Sequence, residues 1–452
     1  MRIGRAAAAA ILAPVAVIAI LSQAVTNPAG AAAAACPANT GITLPPGFCA
    51  TIFADNLGRA RHLAVAPNGT VYVNTLGGPS SASGFLMALR DTKGQGRADV
   101  VQRFGAGAPG GGTGIAFYKG AIFAEMRDRI LRYPLPAGAI LPNGAPQMVV
   151  SGLPITGDHP MHPFVISAQG TLYVDVASAT NSCQLQNRVA NSPGDKPCDE
   201  LLTRAGIWRY DANKTGQRFS TAERFVKGLR NGEGLSFDSA GRLYATQHGR
   251  DQLYENWPSL YKPAQGQNLP GEEIVILRLG ADYGWPECYF DLIQKKLVLA
   301  PEYGGDGGKL VSVCAQMQAP LVSFPAHWAP NDMVIYNATQ FPQSYRGGAF
   351  IAFHGSWNRA PGPQGGYFVA FLPLANGKVA GPAFGFADGF AGAVKEPGKA
   401  AFRPSGLAVG PDGALYISDD VHGRIWRVVY KGTGASASAP APVASVLDAG
   451  GQ

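Results

Sequence analysis

Apolar and polar residues alternate with a period of two in short runs along most of the chain, and the runs come in pairs joined by a turn rich in glycine or asparagine. The unit appears as "LAVAPNGTVYV" from Leu63, "IAFYKGAIFA" from Ile115, "VISAQGTLYV" from Val165, "LSFDSAGRLYA" from Leu235, "FPQSYRGGAFIAF" from Phe341 and "LAVGPDGALYI" from Leu407. Each predicts an antiparallel hairpin. After four of them a further strand follows, in "RILRYPL", "GIWRYD", "GYFVAFLPL" and "GRIWRVVY". A hairpin with an outer strand is the material of a propeller blade. The pattern predicts an all-β fold, a six-bladed β-propeller with long loops on one face; helix-period runs with caps are nearly absent beyond the N-terminal segment. A seventh blade hidden between Gln252 and Phe324 is the alternative. Residues 47–54 are placed to pair beside the last C-terminal strands.

The ends of the chain differ from its body. Arg2 and Arg5 precede an apolar stretch from Ala6 to Leu21, and small residues at Ala31 to Ala35 lead to Cys36, the layout of a bacterial-type export signal. The expected organisation is a signal peptide at 1–35, a propeller at 36–431 and a low-complexity tail at 432–452. Lipidation of Cys36 and an uncleaved anchor are the other fates open to the leader. No later segment is long and apolar enough to span a bilayer, so a periplasmic or secreted protein is expected. The six cysteines suit an oxidising compartment, and their positions suggest the local bridges 36–49, 183–198 and 288–314. No CxxC or CxxCH unit is present, which argues against a zinc ribbon or an attached haem. Without residues 1–35 the formal charge falls from +7 to +5, and basic residues are scattered, so a nucleic-acid partner is not expected.

In a propeller, polar residues at equivalent ends of different blades converge on one mouth. Six of the seven histidines, His159, His162, His248, His327, His354 and His422, flank the expected inner strands, together with Asp158, Arg230, Arg250, Arg359 and Arg403. GxSxG, HExxH and P-loop motifs are absent, which removes the serine hydrolase, zincin and nucleotide readings. An arginine-rich pocket with a histidine suits a polyanionic small molecule and a proton abstraction, since arginine grips carboxylates and neutral imidazole accepts a proton.

The stretches "GDHPMHPFVISAQGTLYVDVAS", "GLRNGEGLSF", "YATQHGRD", "EEIVILRLGADYGWPECY", "YRGGAFIAFHGSWNR" and "RPSGLAVGPDGALYISDD" resemble the soluble quinoprotein sugar dehydrogenases, most closely their sorbosone dehydrogenase-like branch. The resemblance runs from about Leu44 to Tyr430. It implies a six-bladed propeller that holds pyrroloquinoline quinone (PQQ) and calcium in its mouth and oxidises an aldose or sugar aldehyde by hydride transfer, passing electrons to an external acceptor. It places the catalytic base at His159, fourteen residues before Tyr173, with Asp158 beside it to orient it or raise its basicity; His162 is the competitor. It places Arg230, Asn231 and His248 on the cofactor, and the backbone carbonyls of Gly249 and Arg250 on calcium.

The chain also departs from that pattern. Of two arginines expected before the last hairpin, Arg403 keeps the first position and Ser405 fills the second; a fifth-blade lysine is missing, and Arg359 is the residue placed to reach in for it. Trp285 and Trp357 are candidates for a sugar-site wall or for core. Glu272 and Glu273 read as a solvated loop or a calcium site, and Asp419 and Asp420 as structural carboxylates. The competing functions are a non-catalytic sugar- or protein-binding propeller and a calcium-dependent propeller lactonase. If His159 titrates in the ordinary imidazole range, turnover should rise with pH from mildly acidic to mildly alkaline conditions.

Overall fold

The computed structural model describes residues 36–38, 40–77, 83–359 and 361–432, with Met1. The proposed leader, and all but Gly432 of the proposed tail, lie outside the described residues. From Cys36 on, the described residues form a six-bladed propeller whose sheets are antiparallel, except that Gln217–Arg218 adds a parallel edge to Gln147–Ser151 of blade two. The inner hairpins are Arg59–Val65 with Val71–Leu76, Ile115–Tyr118 with Ala121–Glu125, Phe164–Ile166 with Thr171–Val176, Leu235–Phe237 with Leu243–Gln247, Pro330–Ile335 with Ala349–Phe353, and Pro404–Val409 with Leu415–Asp419. These define blades one to six. All six innermost strands line one axial cavity of about 270 Å³.

The hairpins form where the alternation puts them because the turn is specified locally. In five of the six a glycine stands at the same turn position with positive φ, as at Gly69 (φ 83°) and Gly170 (φ 94°), a conformation that a side chain disfavours. Blade five is the exception and corrects the expectation for "FPQSYRGGAFIAF". Only its second half is a strand. The inner strand is Pro330–Ile335, and Phe341 to Tyr345 is a connection with a single 3₁₀ turn at Gln343–Tyr345. Phe341 and Tyr345 are apolar because they plug the core between blades five and six: Phe341 stacks on Tyr336 at 4.4 Å, and both are fully buried.

The stretch from Gln252 to Phe324 hides no seventh blade. It supplies the third and fourth strands of blade four, Glu272–Ile276 and Val322–Phe324, and between them a small hairpin, Cys288–Asp291 with Lys296–Leu299, packed in its own apolar cluster. The three disulfides pair Cys36 with Cys49, Cys183 with Cys198 and Cys288 with Cys314, as the spacing suggests. Among the described residues no helix is long and apolar enough to cross a membrane.

The ring closes by pairing its two ends. Phe48–Ala54 adds the outermost strand to blade six, running antiparallel to Ile425–Tyr430 with Phe48 opposite Tyr430. Phe48 then meets Phe341, Tyr345, Phe386 and Tyr430 edge-on at 4.8 to 5.1 Å. Truncating such a ring leaves a cavity among side chains that cannot collapse into it. Phe48→Ala should therefore cost about 3 kcal/mol or more of unfolding free energy, read as a lower urea midpoint; an unchanged midpoint would mean that the closing strand is not integral to the ring.

Candidate active site

The first strand of each inner hairpin begins, and the second ends, at the same rim of the ring. Residues just before the first and just after the second therefore crowd one mouth, a cavity of about 740 Å³. It receives Arg59 and Arg61 from blade one, Asp158 and His159 from the loop entering blade three, and Arg230, Asn231, Glu233, His248, Gly249 and Asp251 from blade four. Blade five adds His327, His354, Trp357 and Asn358, and blade six adds Arg403 and Asp420. Glu272 completes the wall.

His159 has a fixed tautomer. Its Nδ1 lies 2.8 Å from the carbonyl oxygen of Ser178, a group that only accepts, so Nδ1 carries the proton and Nε2 the lone pair. Burial first, then the positive charge of Arg230, depresses its pKa to about 3. His159 is therefore a neutral ring with a free acceptor nitrogen at any pH near neutrality, which corrects the expectation of a titration across the mildly acidic range. Asp158 does not orient it. The Asp158 carboxylate instead accepts from Arg188 at 2.8 and 3.0 Å, and the orienting group is the Ser178 backbone. His162 is no competitor: its ring is buried, with Nε2 2.9 Å from the Pro154 carbonyl and Nδ1 3.5 Å from Glu125, away from the cavity.

Arg230 is buried and spreads its guanidinium over the Asn181 carbonyl (3.0 Å), the Gly249 carbonyl (3.0 Å) and Asp251 (3.0 Å). The Gly249 carbonyl, expected on calcium, thus already takes a cationic donor. Arg250 turns its side chain away, into Glu302 and Asn256. Among the described residues no cluster of three or more acidic, histidine or cysteine side chains is arranged to hold a metal ion. Asn231 lines the cavity with its amide 3.5 Å from Glu233, and His248 lines it with a buried Nε2 that has no hydrogen-bond partner. Burial holds the His248 pKa down to about 4.

Arg403 lies over the Tyr367 ring and donates to the carbonyls of His354 and Gly355. Arg359 does not reach the mouth; it pins the carbonyls of Ala326 and Gln267 behind the rim, so among the described residues blade five brings no lysine or arginine to the cavity. Ser405 is fully buried with its hydroxyl unpartnered. "RARHLAV" in blade one aligns with "RPSGLAV" in blade six, so Arg61 occupies in blade one the place that Ser405 holds in blade six. Arg61 is buried between Glu233 and Asp420, at 2.6 and 3.0 Å.

The carboxylates of the mouth are mostly spoken for. Glu233 and Asp420 face Arg61, Asp251 faces Arg230 and Arg188, and Asp158 faces Arg188. Glu272 and Glu273 lie on a buried strand, which corrects the reading as a solvated loop, and burial raises both to about 8. Arg59 and Arg403 are left with no carboxylate in ion-pair range among the described residues. Of the two tryptophans, Trp285 is core, donating to the Asn181 carbonyl, and Trp357 is exposed at the rim. Sequence reasoning missed Arg61, Arg188, Glu233, Asp251 and Ser178; Glu233, Asp251 and Ser178 stand inside the stretches quoted above, and the likeness of "RARHLAV" to "RPSGLAV" is the signal that could have found Arg61.

A family model described as TrAA12-like matches residues 42–431. A pyrroloquinoline quinone-dependent pyranose dehydrogenase of Coprinopsis cinerea is 26% identical over 234 residues, 44% of this chain and 30% of that protein. An uncharacterized protein of Borreliella burgdorferi is 28% identical over 207 residues, 45% of this chain and 48% of the relative. The alignments thus span less than half the length of these curated relatives. Among solved structures, the calcium structure of a Trichoderma reesei carbohydrate-active enzyme of family AA12 superposes with a TM-score of 0.69 at 19% identity, covering 86% of this chain and 97% of that one. The holo PQQ domain of the Coprinopsis cinerea pyranose dehydrogenase gives 0.65 at 20% identity (87% and 98% covered), and the PQQ-bound aldose sugar dehydrogenase of Streptomyces coelicolor gives 0.51 at 18% (85% and 99%). These likenesses are likenesses of fold.

A histidine titration by NMR checks the electrostatics of the mouth directly. His159 and His248 should remain neutral from pH 8 down to pH 5, since their pKa values of about 3 and about 4 lie below that window. A midpoint near the ordinary 6.5 for either ring would show that the mouth is more open to water than its packing implies.

Proposed function

This chain belongs to the TrAA12-like family, and we propose that it is a PQQ-dependent dehydrogenase that oxidises an aldose or sugar aldehyde and passes the electrons to an external acceptor. The observation that carries this reading is a pairing: a neutral His159 whose Nε2 is free faces a cavity in which Arg59 and Arg403 lack carboxylate partners. The donor set fits the cofactor. PQQ carries three carboxylates, and the mouth offers two guanidinium groups without carboxylate partners, the amide of Asn231 and the unpartnered Nε2 of His248. When bound, PQQ supplies the two-electron acceptor.

The residues of the chain supply the rest. Arg59 and Arg403 would hold carboxylates bidentately, and Arg230 would add charge from the back wall. His159 would take the proton of the substrate hydroxyl (for an aldehyde, that of its hydrate) on Nε2 while hydride leaves the carbon bearing that hydroxyl for the two-electron acceptor, and Nδ1–H···O=C to Ser178 would hold the ring through the transfer. Calcium belongs to the proposal at the carbonyls of Gly249 and Arg250, where it would compete with the Arg230 guanidinium for the Gly249 oxygen. The family names of the relatives support the sugar class. Three disulfides are consistent with an exported protein. The lactonase reading fits less well, because most of the cavity carboxylates it needs as metal ligands already stand against arginines.

The test is to add PQQ and calcium, separately and together, to cofactor-free protein and follow dye reduction with aldoses, sorbosone and simple alcohols. Dye reduction that requires PQQ and is increased by calcium is expected. No PQQ binding would sink the proposal and leave a sugar- or protein-binding propeller.

Two further outcomes follow from the site. His159→Gln should lower kcat by about 10²- to 10⁴-fold with a far smaller change in PQQ affinity, whereas Arg403→Ala should weaken PQQ binding about tenfold or more. For wild type, a base already neutral at pH 5 contributes no acid limb above that pH: kcat/KM should stay level from pH 8 to pH 5 on account of His159 and fall only as pH approaches about 3. An acid limb near 6.5 that disappears in His159→Gln would contradict the burial argument.

A further inference from the structure

The Ser178 carbonyl can fix the tautomer of His159 only if the turn that carries it is itself held. That turn, Ser178 to Asn181, follows the second strand of blade three and has no ladder of its own. Three of its donors go to one side chain. The Glu200 carboxylate accepts from the backbone N–H of Ala179 on one oxygen, from the N–H of Thr180 at 3.2 Å on the same oxygen, and from the Thr180 hydroxyl at 2.6 Å on the other. The far side of the turn grips the base segment, since the Asp158 N–H donates to the Ala179 carbonyl at 2.8 Å beside the His159 contact to Ser178. The Ser178 N–H donates to the Arg230 carbonyl at 2.7 Å, and Asn181 receives the Arg230 guanidinium through its carbonyl and its side-chain oxygen.

Glu200 reaches the turn from a short 3₁₀ turn, Asp199–Leu202, that starts directly after Cys198. Cys198 is bonded to Cys183, whose own N–H donates to the Thr180 hydroxyl oxygen at 2.9 Å. The bridge therefore closes the insertion so that Glu200 lies against the turn at 179–180. Without it, the carboxylate would have to find the turn from the end of a loop free at one side, at an entropic cost that grows with loop length.

We propose that Glu200, held by the Cys183–Cys198 bridge, is a positioning residue for His159, acting through the 178–181 turn. The inference rests on the reading of His159 as the base, but its primary readout does not. In cofactor-free protein, nitrogen-edited NMR of the His159 ring should show the Nδ1–H tautomer in wild type. Glu200→Ala should populate the other tautomer and lower kcat by about ten- to a hundredfold, with KM for the sugar changed much less. Glu200→Gln, nearly isosteric and still an acceptor through its amide oxygen, should retain part of the wild-type behaviour, and it answers the question if the alanine variant does not fold. Replacing Cys183 and Cys198 together by serine should move the tautomer in the same direction as Glu200→Ala. A His159 tautomer and a kcat unmoved in both Glu200 variants would overturn the proposal. A tautomer that follows Glu200 in a protein that oxidises no sugar would uphold the positioning role and remove the dehydrogenase reading instead.

Discussion

The closure of the ring is the constraint on which the site depends. Strand Phe48–Ala54 comes from one end of the described chain and Ile425–Tyr430 from the other, and their ladder ties the segment that leads into blade one to the outer edge of blade six. The mouth takes groups from five of the six blades, so the separation between His159 and Arg403 is set by the ring as a whole and by no local segment. A second tie lies on the axis. Arg61 of blade one binds Glu233 of blade four and Asp420 of blade six in a buried triad. Removing one member of such a group costs about 3–5 kcal/mol, because its partners stay buried and uncompensated.

The electrostatics of the mouth follow from what these ties consume. Carboxylates and guanidinium groups that hold blades together satisfy one another, and their charges largely cancel. What remains is a small surplus of positive groups at the rim, with histidines kept neutral by burial and a Glu272 kept protonated by it. That combination favours an anionic guest and leaves a lone pair for proton transfer. Arg230 takes part in both tasks, since it pairs with Asp251 and also depresses the His159 pKa.

Much of this was legible in the chain. Five of six inner hairpins, the six-bladed architecture, the three disulfides and the placing of His159, Arg230, Asn231, His248 and Arg403 at one mouth emerge from alternation, turn glycines and resemblance. The fifth hairpin was misplaced because its inner strand begins Pro-Asn-Asp, and polar side chains on a strand facing the axial channel look like a loop. Asp158 was given the orienting role by adjacency, yet consecutive residues seldom point the same way, and it pairs with Arg188. Arg359 lies close in sequence to the rim, but its loop folds back and its donors go to carbonyls of the blade-four insertion and of the segment entering blade five.

The division has a simple physical basis. Strand periodicity, turn conformation and disulfides between cysteines 13 to 26 residues apart are short-range properties, and the sequence alone determines them. Which charge neutralises which is decided across blades. Arg61 meets Asp420 from 359 residues away and Glu233 from 172, and no local pattern carries that information. The burial that holds His159 neutral is likewise a property of the assembled mouth, because desolvation comes from every element packed around the ring and exists only once the propeller has closed.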